Sequence, residues 1–515
     1  MKKLSLLCLT CFISYSYATD DITIVSLNDF HGQVQANKTM VGAGKISSFL
    51  QEYKKTHPNL IIVSAGDNYQ GTAISNLSQG QVVNDVFKLM GVRYSAIGNH
   101  EFDYGQGAFE SWYKAKKLPF LAANIRYESS NRLFKYAHPF SEVKLANGKK
   151  VAFIGLSTLE TPTSTASYNV KGLKFTDPAK EAQLWIKYLN SPFNLYGKPN
   201  TVVLLTHIPT EQDASGKISY DINPQLHDSE INYVTSKTKG ISAVISGHSH
   251  MQVAGTLNNV AVVQANSQGK SLGVLHFDCH SSANQCVATP EVINLAEATQ
   301  NLVSDPKVES IINYYYQQNQ AVLNQKIGYA TEELPNMPVQ GIYNIKLTYM
   351  AADYMRQFAH TDIGLQNTYG IRRDLPKGDI TYGMLYEVMP FDNTIFTLNI
   401  KGSELIKLIE HSMPSNDDNS STKKVQLGIF AGVGIKVNSS GTITQILING
   451  TPLDLNRDYS VATIGFLATG GDGFDFSKAT NVHDTNLPIR DLIKQEWLQS
   501  GIKIPNDWQS VQITQ

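Results

Sequence analysis

Short apolar runs alternate with stretches of helical spacing through the first half of this chain, and the runs share one kind of ending. Residues 22–27 lead into Asn28-Asp29-Phe30-His31-Gly32, residues 60–63 into Ala65-Gly66-Asp67-Asn68, and residues 94–97 into Gly98-Asn99-His100-Glu101-Phe102-Asp103. Residues 202–205 lead to Thr206-His207, and residues 243–245 to Gly247-His248-Ser249-His250. Five predicted strands thus end in side chains able to bind a metal. Between them Ile46, Phe49, Leu50 and Tyr53, then Val83, Val86, Phe87 and Met90, recur at the spacing of an amphipathic helix, with Gly91 placed as a C-terminal cap. Alternating strands and helices predict a layered α/β domain whose functional groups collect beyond the carboxyl ends of the strands. Residues 151–156 predict a further strand, but Ser157-Thr158-Leu159-Glu160 after it offers no strong ligand set.

The texture changes near Asp305. Residues 305–327, with Ile311, Ile312, Tyr315, Val322 and Leu323, predict an interdomain helix. Beyond Pro335, a helix over 348–358 and strands over 395–400, 443–448 and 459–464 predict a second, α+β domain. The polar run 415–424 reads as a solvated loop. The expected organisation is a leader over 1–18, a first domain over 19–304, a linker helix over 305–335 and a second domain over 336–515.

Composition adds an address. Lys2 and Lys3 precede an apolar run over 4–13, and Ser16-Tyr17-Ala18 supplies the small residues of a cleavage site, the pattern of a secretory signal peptide. That run is far short of the ~20 residues needed to span a bilayer, so the mature protein is expected to be exported, periplasmic or secreted, with no membrane span. Cys8 and Cys11 fall inside the leader; Cys279 and Cys286 are the pair that remains, and in an exported chain they predict a disulfide closing a short loop. Cleavage removes two lysines and no acid, taking the formal charge from −1 to −3. Such a balance gives nucleic acid polymers no electrostatic attraction. With 515 residues, 42% of them hydrophobic, the chain is too long for one core.

The strand-end residues suit one chemistry. Two divalent ions about 3.5 to 4 Å apart can activate a water and neutralise both the entering and departing oxygens of a displacement at phosphorus. Such a site needs mixed nitrogen and oxygen ligands with one carboxylate able to bridge. Asp29 and His31 leave one loop together, Asp67 can bridge, Asn99 offers an amide oxygen, and His207, His248 and His250 offer imidazoles.

In that order, Asp29-x-His31, Gly66-Asp67, Gly98-Asn99-His100-Glu101, His207 and Gly247-His248-Ser249-His250 resemble the calcineurin-like metallophosphoesterase superfamily. The second half narrows the resemblance to the secreted 5'-nucleotidase family, whose members include UDP-sugar hydrolases and cyclic-nucleotide phosphodiesterases. The resemblance implies a four-layer α/β/β/α sandwich followed by an α+β substrate domain. It places Asp29, His31, Asp67 and His250 on one metal, and Asp67, Asn99, His207 and His248 on the other, the ions being zinc, manganese, cobalt or magnesium. It makes His100 the catalytic imidazole and Asp103 its orienting partner. Many members carry Gln or Asn where this chain has His250, a change expected to tune metal choice.

The resemblance also names a substrate wall. Asn367-Thr368-Tyr369-Gly370-Ile371-Arg372 matches a block that is usually Asn-Gly-Gly-Gly-Ile-Arg, so Asn367 and Arg372 are expected to contact a nucleotide, with Thr368 and Tyr369 placing side chains where backbone usually approaches the ligand. Phe466-Leu467-Ala468-Thr469-Gly470-Gly471-Asp472-Gly473-Phe474 matches the base-binding segment, with Phe466 as one face of an aromatic clamp, Asp472 as a polar contact, and Phe430 as the candidate second face. An additional family arginine is replaced here by Tyr343; Lys346 lies nearby and Arg373 follows Arg372. The expected function is hydrolysis of nucleoside 5'-monophosphates, with di- and triphosphates, UDP-sugars or 2',3'-cyclic nucleotides as alternative substrates. The rival from another class is an inactive nucleotide-binding surface protein, favoured only by the altered glycine triplet. A hinge at the linker helix is expected, because one domain must bring substrate to metals held by the other. Oligomeric state is not legible.

Overall fold

The computed structural model describes residues 22–279, 286–338, 341–414 and 425–514, so the leader and the polar run 415–424 lie outside the described residues. Two sheets form the centre of the first domain. In one, Ile22–Leu27 pairs in parallel with Leu60–Ser64, which pairs with Val92–Ala96. In the other, Thr201–His207 lies in parallel between Lys150–Ser157 and Ala243–Ile245.

Alternation along these strands sorts side chains into layers. Ile22, Ile24, Ile61, Val63, Val203, Leu205, Val151 and Phe153 meet between the two sheets. Val25, Leu27 and Ile62 face outward against Ile46, Leu50, Val83, Val86, Phe87 and Met90 of the helices Gly42–Thr56 and Gln81–Met90. Val202, Leu204, Ile154 and Leu156 face outward on the other side, against Ala182, Ile186, Ile231 and Val234. Both faces of these strands are therefore buried, apart from the start of Val92–Ala96 where Arg93 is exposed, which is why most of them read as continuous apolar runs. The result is the four-layer α/β/β/α sandwich. Gly91 ends its helix with φ at 80°, the left-handed conformation that a side chain disfavours. Cys279 and Cys286 are joined as expected, across the end of the antiparallel pair Ser271–Asp278 and Val287–Asn294.

The helix Pro306–Leu323 opens with Asp305 accepting a hydrogen bond from the Lys307 amide and with proline at its first position. Val308 and Ile312 pack into the helical layer of the first domain, whereas Leu323 belongs to the core of the second. Its length of about 27 Å carries the chain from one core to the other. In the second domain the helix Lys346–Ala359 packs on a five-stranded sheet ordered Gly428–Ala431, Ile363–Asn367, Asp458–Ile464, Thr394–Lys401 and Thr480–Pro488. Ile363–Asn367 and Asp458–Ile464 run parallel, so their carboxyl ends open at one edge.

Candidate functional site

Asp29 and His31 follow Ile22–Leu27, Asp67 follows Leu60–Ser64, Asn99 follows Val92–Ala96, His207 closes Thr201–His207, and His248 and His250 follow Ala243–Ile245. Parallel pairing sends all of them to one edge. There they form two triplets, Asp29 with His31 and His250, and Asp67 with His207 and His248, each with one ligand atom per residue inside 4.8 Å. The triplets adjoin: His207 Nε2 lies 3.0 Å from Asp67 Oδ2 and 3.9 Å from Asp29 Oδ1. His31 Nε2 faces His250 Nε2 at 2.9 Å, and Asn99 Oδ1 faces His248 Nδ1 at 2.9 Å.

The backbone is strained to make this cluster. Asp29, His31, Asp67, His248 and His250 all have positive φ, between 48° and 74°, in a region that few non-glycine residues adopt. Each such residue costs on the order of 1–3 kcal/mol, a cost the surrounding fold must offset. Gly98 is required by close approach, because a Cβ there would come within 2.1 Å of Asp67 Oδ1.

Hydrogen bonds then aim the rings. His31 Nδ1 meets the Gln70 carbonyl at 2.8 Å, and His207 Nδ1 meets the Ala65 carbonyl at 2.8 Å, so each ring donates there and turns Nε2 toward the cluster. His248 Nε2 is held at 3.3 Å by Glu160 Oε2, which turns Nδ1 inward. Such carbonyl and carboxylate partners are the usual support of metal-binding histidines. His207 Nε2 is buried and faces the Asp67 and Asp29 carboxylates, the position a shared cation would take. Burial works against the charged form of His207, yet Asp67 and Asp29 lift its pKa to about 10. Asp29 sits at about 2, because His250 and His207 overcome its burial. Burial keeps His31 well below the imidazole range and lowers His250 against the pull of Asp29, which favours the uncharged form able to ligate. Carboxylate, amide and imidazole donors together fit divalent cations.

The hexapeptide 98–103 divides its labour. His100 Nδ1 meets Asp103 Oδ2 at 2.7 Å, and Asp103 Oδ1 accepts from the Thr165 hydroxyl at 2.9 Å. Burial opposes protonation of His100, but Asp103 and Asp67 raise its pKa above the ordinary value. Glu101, for which the sequence offers no chemical part, accepts the backbone N–H groups of Asp67, Asn68 and Gly98 at 2.9, 2.7 and 2.7 Å. It fastens the loop carrying Asp67 to the loop carrying Asn99. Glu160 is the other residue the sequence reading passed over; an acid at the carboxyl end of a parallel strand is the signal it left.

A cavity of about 880 Å³ lies between the domains, with Asp67, Asn99, His100, His248 and His250 on one wall and Asn367, Arg372, Phe466 and Asp472 on the other. Asn367 ends one parallel strand and donates from Nδ2 to Asp472 Oδ2 at 2.7 Å. Phe466 follows the neighbouring strand, its ring packed on Gly471 so closely that a Cβ there would lie 2.5 Å from it. Burial lowers the Arg372 pKa against the pull of Asp67, Asp29 and Asp103, whose charges converge on it. Its guanidinium carbon is 5.9 Å from the Phe391 ring, which lies 5.5 Å from the His100 ring.

Phe430 is elsewhere. It pairs with Leu365 inside the sheet, is 1% exposed and packs in the core of the second domain. The residue of that strand region that lines the cavity opposite the sheet's interior is Leu427, three positions earlier, beside the Asn367–Gly428 pair at the open end of the sheet. In the altered triplet Thr368 points inward, its hydroxyl donating to the Gln426 carbonyl, so only Tyr369 enters the cavity. Arg373 turns away to Gln33 and Glu387, Lys346 pairs with Glu332 at 2.9 Å, and Tyr343 packs on the core. Among the described residues lining the cavity, Arg372 is the only cationic side chain besides the histidines.

Known proteins share this architecture. The calcineurin-like phosphoesterase family model matches residues 22–252, and the 5'-nucleotidase C-terminal domain model matches residues 326–479. The UshA protein of Yersinia enterocolitica is 28% identical over 502 residues, covering 88% of this chain and 86% of its own. A 5'-nucleotidase of Vibrio cholerae is 25% identical, with 88% and 86% covered. In structure, a 5'-nucleotidase precursor of Thermus thermophilus superposes with a TM-score of 0.78 over 96% of this chain and 99% of its own, at 23% identity, a likeness of fold. With a phosphoesterase domain and a nucleotidase C-terminal domain in one chain, the protein belongs to the 5'-nucleotidase family of calcineurin-like metallophosphoesterases and is a metal-dependent phosphoester hydrolase.

Proposed function

We propose that the protein hydrolyses nucleoside 5'-monophosphates to nucleoside and phosphate with two divalent ions. One observation carries this reading: the ligand-bearing edge of the first domain and the Asn367, Arg372, Phe466 and Asp472 edge of the second face each other across one cavity. The name of the Vibrio cholerae relative agrees with it. Asp29, His31, Asp67 and His250 would hold one ion, and Asp67, Asn99, His207 and His248 the other. The ions would supply Lewis-acid activation of water and neutralisation of charge at phosphorus.

The chain's own groups do the rest. Arg372 presents a planar fork to the phosphoryl oxygens. His100, held by Asp103 at Nδ1, offers Nε2 as a proton-bearing donor to charge developing on the same group. Phe466 and Leu427 form a slot for the base, and Asn367 and Asp472, bonded to each other, give its polar rim. The apolar start of the chain behind Lys2 and Lys3 supports export as its location.

A second reading has a specific feature behind it. The cavity is also lined by Tyr104, Tyr168, Tyr220 and Asp221, polar side chains that a monophosphate leaves unused and that suit a longer substrate such as a UDP-sugar. The deciding experiment strips the purified protein with chelator, restores single metals, and assays nucleoside monophosphates, UDP-glucose, 2',3'-cyclic nucleotides and an aryl phosphate. Turnover of the monophosphates is expected to exceed the others. Faster turnover of UDP-glucose would establish the second reading, and inactivity toward all of them would overturn both.

A further inference from the structure

The loop after the helix Pro178–Leu189 displays apolar side chains that no other described residue covers. Phe193, Leu195 and Tyr196 are 77, 95 and 76% exposed, and Leu184 and Tyr188 of the helix flank them. The loop is built, not slack. At its centre Asn194 is buried, donating from Nδ2 to the carbonyls of Leu189 and Gly197 and to Glu142 Oε1, and accepting at Oδ1 from the Tyr196 amide. A rigid support that turns three large apolar side chains outward marks a contact surface.

The charges around it select the partner. Lys187, Lys198 and Lys144 are exposed, and Lys149 and Lys150 lie partly exposed on the adjoining hairpin. Residues 182–200 contain no acid, while Glu142 on the hairpin is turned toward Asn194. The nearest acids on the helix are engaged, Glu181 by Arg126 and Asp177 by Lys180. Lys150 is tied through Nζ to the Tyr196 carbonyl, so in a chain of net charge −1 it is Lys144, Lys149, Lys187 and Lys198 that accompany three protruding apolar side chains. That is the pattern of an interfacial anchor, with apolar tips entering the acyl boundary and ammonium groups at the lipid phosphates.

We propose that this loop docks the protein on an anionic lipid surface. The patch sits at the amino ends of Lys150–Ser157 and Thr201–His207, whose carboxyl ends carry the chain to Glu160 and His207. At about 3.3 Å per residue, those strands hold the two ends roughly 20–25 Å apart. Docking leaves the cavity open to solution.

Flotation of the mature protein with phosphatidylglycerol–phosphatidylcholine vesicles, against pure phosphatidylcholine, tests this. Binding is expected to the anionic vesicles only, to fall with added salt, and to be lost in a Phe193→Ser/Leu195→Ser/Tyr196→Ser variant whose solution activity is unchanged. Lys187→Glu/Lys198→Glu is expected to weaken binding by about tenfold or more. Absence of binding to anionic vesicles, or equal binding by the triple serine variant, would overturn the proposal. So would a concentration-dependent dimer, seen by sedimentation, that the triple variant abolishes, because the patch would then join two copies of the chain.

Discussion

His100 and Asp103 meet at 2.7 Å within one turn of 3-10 helix, and Thr165 secures the carboxylate from the opposite side. This arrangement orients a ring that belongs to neither ligand triplet. His100→Ala is expected to lower kcat by about 10² to 10⁴-fold while both metals stay bound. Asp103→Asn, which loosens only the orientation, should cost less. Metal analysis beside steady-state kinetics checks this; loss of metal in His100→Ala would make His100 a ligand.

His207 gives the complementary prediction. Its Nε2 is buried between Asp67 and Asp29, and removing the ring leaves two carboxylates with less positive charge to balance them. His207→Ala is expected to bind fewer than two equivalents of metal and to lose activity even in excess metal. Elemental analysis after dialysis reads the first, and the restored-metal assay reads the second.

Phe466 separates base recognition from chemistry. Losing one stacking face costs about 1 to 3 kcal/mol, so Phe466→Ala should raise KM for nucleoside monophosphates about 5- to 150-fold and leave KM for an aryl phosphate nearly unchanged. Leu427→Ala should act in the same direction more weakly. Equal effects on both substrates would remove Phe466 from the base slot.

The gathering of the candidate ligands at one edge was legible in the sequence because each follows a mostly buried strand, and such strands announce themselves as apolar runs. Glu160 follows one of those runs too, but its partner His248 lies 88 residues away, and an acid after a strand resembles a turn until the two sheets are packed. Glu101 was hidden for a similar reason, since the amides it holds belong mostly to another loop. Phe430 shows the limit of pattern in the second domain: without the pairing of Asn367 with Gly428, nothing tells which residue of 427–430 reaches the open edge. The paired strands Glu211–Gln212 with Ile218–Ser219 and Ile222–Asn223 with Asp228–Ser229 are two residues long, too short to show any alternation.

Glu101 carries a stability prediction. Replacing it with alanine leaves the amides of Asp67, Asn68 and Gly98 buried without their acceptor. The loss is expected to be about 3 kcal/mol or more, with weakened metal binding because the Asp67 and Asn99 loops are no longer fastened. Denaturant unfolding of the metal-free protein isolates the first effect; unchanged stability would deny the clamp.

Glu230 supplies a pH dependence away from the ligands. It begins the helix Glu230–Lys237, accepts from the Thr158 hydroxyl at 2.8 Å and from the Leu159 amide at 3.2 Å, and is 2% exposed. Burial raises its pKa from 4.5 to about 8, with Glu160 adding to the rise and the Thr158 hydroxyl opposing it. The folded state therefore holds this proton more tightly than the unfolded chain does. Its contribution is fully present below about pH 4.5 and declines as pH rises, because the unfolded carboxyl ionises first, until the folded one ionises near pH 8. Glu230→Gln keeps an acceptor for Leu159 and has no proton to lose. The Tm of this variant minus that of the parent should grow steadily between pH 5 and 8 and level off above it. A difference that stays flat across that range would mean that Glu230 is ionised in the folded protein at neutral pH, with its charge met by groups other than Thr158 and Leu159.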